Sequence, residues 1–325
     1  MTQPTSLIPP TAWTIVMAAG VISIDLTYDH QPTLSAILLW FAATAWVFLV
    51  VVLAAPLVYQ HGRFAREARS PALLTSVAAT AVLGIRLAMQ DYRVPAAALL
   101  ALAVIGWVVF LVPVLEHWKT PTTGISFVLG VATTGVALLG ATLAVNYHAA
   151  WLLSGAGVFL LLALAFYVFT VARFDPRQLT SGGGDHWIAG GALAIATLTA
   201  SIITEAAGKL GQFSGQHQVL ADGSLALWCL GTAWLPVLIG CEVARPRLHY
   251  DVRRWATVFP LGMYAACSYT VGQVTGITGI ARFGQVWTWV AFAAFLVVLA
   301  GLVRRVHQAK QLPGVRLRLH AGALR

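Results

Sequence analysis

Residues 34–56 read LSAILLWFAATAWVFLVVVLAAP, and residues 186–207 read HWIAGGALAIATLTASIITEAA. The first stretch contains no Asp, Glu, Lys or Arg and is bulky throughout. Wound as an α-helix at ~1.5 Å per residue, it is long enough to cross the ~30 Å hydrocarbon core of a bilayer. The second is of similar length but is built largely from Gly, Ala, Ser and Thr, with Glu205 near its end. Apolar stretches of these two kinds recur about ten times, separated by short polar gaps. They do not alternate with a period of two, as barrel strands would, so the spans are helices.

The spans fall at 11–28, 34–56, 70–89, 95–115, 124–145, 151–172, 186–207, 219–240, 254–275 and 286–303. Composition agrees: 59% of the 325 residues are hydrophobic, 10% are charged, and the mean hydropathy is +0.80. Soluble domains carry about one quarter charged residues. Little chain remains for a soluble module. The expected organisation is a cytoplasmic segment over 1–10, a transmembrane transport domain over 11–303 and a basic cytoplasmic tail over 304–325. The first run follows a stretch without Lys or Arg, so it reads as a true span and not as a cleaved signal.

The formal net charge of +9 would raise nucleic acid as a partner in a soluble protein. Here the basic residues sit in alternate gaps, where they set topology, and no nucleic-acid role is expected. Arg63, Arg66 and Arg69 follow span 2, Lys119 follows span 4, and Arg173 and Arg177 follow span 6. Arg245, Arg247, Arg253 and Arg254 follow span 8, and the remaining cluster begins at Arg304. The other side has Arg86, Arg93, Lys209 and Arg282. The positive-inside rule then places both termini in the cytoplasm of a multi-pass protein of the cell membrane.

Odd and even spans differ in kind. Even spans are bulky and suit lipid. Odd spans carry small residues and hydroxyls, which allow close helix contact or face a wet path. Thr14, Ser23, Thr133, Thr134, Thr197 and Ser201 are candidates to line such a path; ordinary helix packing would use the same residue types. Asp25, Arg86 and Glu205 lie near the ends of odd spans, with Lys209 just beyond. Charges at such depth face protein or water. They read either as a rim where Arg86 and Lys209 attract an anion while Asp25 and Glu205 hold those basic groups, or as a structural ion-pair network. Pro260, early in span 9, removes a backbone donor and kinks the helix. Pro113 and Pro236 lie near the ends of even spans, where they fit helix termination, and Pro9 and Pro10 start the first span.

Enzyme chemistry has no foothold in these residues. Cys229, Cys241 and Cys267 have no metal or disulfide spacing, His148, His186 and His217 are dispersed, and HExxH, GxSxG and P-loop motifs are absent. No cofactor or metal is implied.

The span pattern, the opening PPTAWTIVMAAGVIS at 9–23 and the string RRWATVFPLGMYAACSYTVG at 253–272 resemble the tellurite-resistance/dicarboxylate transporter family. That family includes bacterial TehA-like proteins, the fungal malate transporter and plant slow anion channels. The resemblance implies an all-α fold of ten transmembrane helices as five helical hairpins, with odd helices in an inner ring around a pore and even helices outside. It also implies a homotrimer with one pore per protomer and a phenylalanine gate on the ninth helix. Phe259, before Pro260, is the best counterpart of that gate, with Tyr264 as the alternative. Gly20 resembles the small residue opposite the ring. Arg86, Glu205 and Lys209 make this chain more polar than the channel-like members. The expected function is passage of small anions such as chloride or nitrate. The rival is a proton-coupled carrier of malate-like dicarboxylates or tellurite.

Overall fold

The computed structural model describes residues 9–59, 62, 67–180, 183–213, 215–247 and 249–311. Arg63, Arg66, most of the segment 1–10 and the tail beyond 311 lie outside the described residues. Among the described residues nine helices are long and apolar enough to cross a membrane. They are α1 (Trp13–Tyr28), α2 (Pro32–Tyr59), α3 (Leu74–Ala88), α4 (Arg93–Glu116), α5 (Val128–Asn146), α6 (Ala150–Val171), α7 (Trp187–Lys209), α8 (His217–Ala244) and α10 (Thr278–Gln311). Short 3-10 turns lengthen α1, α3 and α5 at their starts; Pro10 opens the first of these. A further long helix, α9 (Trp255–Thr275), is less apolar because Thr257, Ser268, Thr270 and Gln273 dilute it. The chain is an all-α, multi-pass membrane protein.

Burial separates the helices as their composition does. The most apolar windows of α1, α3, α5 and α7 are 78 to 89% buried, whereas those of α2, α4, α6, α8 and α10 are 17 to 22% buried. In α9, 17 of 21 residues are buried. α1 packs on α3, α3 on α5, α5 on α7, α7 on α9, and α9 on α1. Each even-numbered helix packs on the odd-numbered helix before it. Large side chains such as Trp40, Trp151 and Val297 point outward from the even-numbered helices, as a lipid-facing surface requires.

Each odd helix turns into the next even one through a left-handed residue: His30, Asp91, His148, Gly211 and Gly276, with Phe213 as a second in the fourth turn. In the first four turns a backbone N–H reaches back five residues, as in Gln31 N to Leu26 O (2.8 Å) and Ala149 N to Ala144 O (2.9 Å). This Schellman arrangement satisfies the carbonyls at a helix end where few other donors exist. At Gly276 the turn is so short that α10 begins at Thr278, before the expected start at 286.

Pro236 also differs from expectation, because it lies inside α8 and does not end it. The helical hydrogen-bond pattern lapses at Ala233, whose backbone stays helical (φ −61°, ψ −21°), and resumes at Trp234. The cause is the proline nitrogen, which has no hydrogen to donate to the Thr232 carbonyl four residues back.

Three indole-to-hydroxyl hydrogen bonds between helices share one sense. Trp46 of α2 donates to Thr80 of α3 (2.9 Å), Trp107 of α4 to Thr133 of α5 (2.8 Å), and Trp228 of α8 to Ser268 of α9 (2.8 Å). Each joins an even-numbered helix to the odd-numbered helix that follows it. Trp107→Phe keeps an aromatic ring and removes the donor. Thermal unfolding in detergent is expected to show a loss of about 1 kcal/mol, the size of a hydrogen bond between membrane helices; an unchanged midpoint would show that the bond contributes nothing.

Candidate functional site

The C-terminal ends of the odd-numbered helices meet around a cavity of about 500 Å³. Ile24 and Tyr28 come from α1, Ile85 and Ala88 from α3, Leu138, Thr142 and Asn146 from α5, Leu198, Ile202, Glu205 and Lys209 from α7, and Gln273 from α9. The wall is apolar at depth and polar at the mouth. Asn146 also donates to the Ala88 carbonyl (3.0 Å), closing the end of α3. Helix C-termini present carbonyls and a partial negative charge, and the described helical residues that line the cavity lie between mid-helix and such ends. Lys209 supplies positive charge there, and it is paired with Glu205 on its own helix.

Inward of this vestibule, α9 is fixed by two close approaches. A Cβ at Gly262 would lie 2.5 Å from Val21 of α1 and 3.2 Å from an Asp25 carboxylate oxygen. On another side, Pro260 fills the space beside Gly191 of α7, where a Cβ would meet it at 2.8 Å. At about 100° per residue, Phe259 falls on the arc between these two contacts, the arc that also carries Gln273. Phe259 is 2% exposed. Tyr264 points elsewhere: its hydroxyl donates to the Gly231 carbonyl of α8 (2.8 Å) and lies against Gly190. The space beside Gly20 is taken by Val82 of α3.

A family model described as voltage-dependent anion channel matches residues 8–303. The chain belongs to the SLAC1 family. Its general function is therefore that of an anion channel or transporter and not of an enzyme. Two uncharacterized membrane proteins of Mycobacterium tuberculosis, from strains CDC 1551 / Oshkosh and ATCC 25618 / H37Rv, are each 28% identical to it over 136 residues. Those alignments cover 40% of this chain and 67% of each relative.

Within this SLAC1-family chain the sequence-predicted charges separate. Arg86 turns away from the vestibule, and its Nε and Nη2 donate to Ser23 of α1 (2.9 Å) and Ser35 of α2 (2.8 Å). Asp25 is fully buried, and neither oxygen has a hydrogen-bond partner among the described residues. The predicted hydroxyls are bonded within the protein. Ser23 belongs to the Arg86 cluster, and Thr14, Thr134 and Thr197 donate to carbonyls of their own segments. Thr133 takes the Trp107 indole, and Ser201 meets Thr270 of α9 at 2.6 Å. The vestibule instead uses Tyr28, Thr142, Asn146 and Gln273, which sequence reasoning passed over. Their position in the last turns of odd spans was the available signal.

At the opposite end Arg247 joins three segments. It pairs with Glu242 (2.6 Å), donates to Thr257 (2.8 Å) and lies against Gly184. Burial pushes the nearby Asp185 carboxyl above the usual carboxylate range, while Arg253 and Arg247 oppose that rise.

Arg86 thus ties α3 to α1 and α2. Arg86→Gln is expected to lower stability by about 2 kcal/mol, since hydrogen bonds to a charged donor are lost. Denaturation in detergent reads this directly, and an unaltered stability would refute the tie.

Proposed function

We propose that small anions cross the cell membrane along the axis enclosed by the five odd-numbered helices, with the even-numbered helices shielding it from lipid. In this reading all ten long helices span the bilayer as five hairpins, both termini are cytoplasmic, and the vestibule opens outward. Phe259 closes the path one level inward of the vestibule. The observation that carries the reading is the position of Phe259 between the Gly262 and Pro260 contacts, beneath a cavity bounded by all five odd-numbered helices.

Chloride and nitrate suit a path that ends at an aromatic ring, because passage then depends on steric opening and weak binding. The Glu205–Lys209 pair in the vestibule favours a second reading, a proton-coupled carrier of malate-like dicarboxylates or tellurite. Assembly as a homotrimer with one path per protomer follows from the family resemblance.

Purified protein in liposomes separates these readings. Chloride and nitrate flux that does not saturate and needs no pH gradient supports the channel; saturable malate or tellurite flux driven by a proton gradient supports the carrier. Phe259→Ala is expected to raise anion flux about tenfold or more, equivalent to removing ~1.4 kcal/mol of barrier. Flux equal to wild type would remove Phe259 from the path.

A further inference from the structure

We propose that Asp25 is a protonation-controlled charge filter between the vestibule and Phe259: anions pass when its carboxyl is neutral and are repelled when it is ionised. The inference rests on the anion path proposed above and adds its regulation.

Three placements support it. Asp25 lies next to Ile24 and one turn inward of Tyr28, both of which border the vestibule. Its Oδ2 faces Gly262, one helical turn from Phe259 on α9. The carboxyl therefore sits at the level between cavity and ring. It is sealed from solvent, with both oxygens unbonded among the described residues.

The described groups around Asp25 leave it without a counter-charge. On its own helix Tyr28 lies one turn away, and Asp29 accepts from Tyr269 of α9 (3.0 Å). Arg86 of α3 directs its Nε and Nη2 to Ser23 and Ser35, and its buried Nη1 meets neither Asp25 oxygen. On α7, Lys209 is paired with Glu205. α9 adds the buried Cys267 and Tyr269, α10 has the exposed Arg282, and α2 has no charged side chain. A lone charge at such depth acts over several ångströms, because little water screens it. A passing anion would meet an ionised Asp25 at close range.

The test is nitrate flux into liposomes with the same pH on both sides, which removes any driving proton gradient. Wild-type flux is expected to fall roughly tenfold between about pH 5 and about pH 9. Asp25→Asn, which has the shape of the neutral acid, is expected to conduct at all pH values, and Asp25→Ser should be equally flat. Glu205→Gln should keep the wild-type pH profile. A flat wild-type profile would overturn the filter, as would a pH dependence that persists in both Asp25 variants or vanishes in Glu205→Gln. If Phe259→Ala raises flux while the Asp25 variants change nothing, the filter fails and the path stands. If no variant and no wild-type sample carries nitrate, both fall.

Discussion

Helices in lipid gain nothing from hiding apolar surface, since the acyl chains are as apolar as leucine. Their association here depends on specific bonds, and the indole-to-hydroxyl contacts at Thr80, Thr133 and Ser268 supply them. Each lets a bulky lipid-facing helix hold a slender buried one. The buried helices can then consist of Gly, Ala, Ser and Thr and approach closely, as at Gly20 with Val82 and Gly191 with Pro260. The large side chains these buried helices do carry, such as Met17, Trp255 and Tyr264, fill the space between those close approaches.

Much of the fold was legible because bilayer thickness fixes helix length and burial follows side-chain size. The lengths of α4, α6 and α7 match their spans within a few residues. The turns were less legible. Three of them place His30, Asp91 and His148 in the left-handed region, where glycine would have been the usual signal. Pro236 misled for a different reason: a proline near a span end is compatible with termination, and only the continuation through Trp234–Ala244 distinguishes a lapsed hydrogen bond from an end.

The site was harder to read than the fold. A serine or threonine in a buried helix has three outlets: its own backbone, a neighbouring helix or a cavity. Sequence does not choose among them. Thr133 and Ser201 each bond both their own helix and a neighbouring one, and Thr197 bonds its own. Charges were equally ambiguous, because Arg86 found two serines, one of them Ser35 on an outer helix of otherwise lipid-like composition. Phe259 was singled out by the family resemblance, which implies a ring on the ninth helix, and the contacts of Gly262 and Pro260 give that position a direction.

The missing bond at Pro236 leaves the backbone of Ala233 helical, so α8 runs on as one span with an attachment on either side of it. Trp228, before Ala233, is bound to α9, while Trp234, after it, donates to Tyr167 of α6 (2.9 Å). Through these two indoles α8 links α6 to α9 across α7, on which it also packs, so one lipid-exposed helix holds three neighbours together.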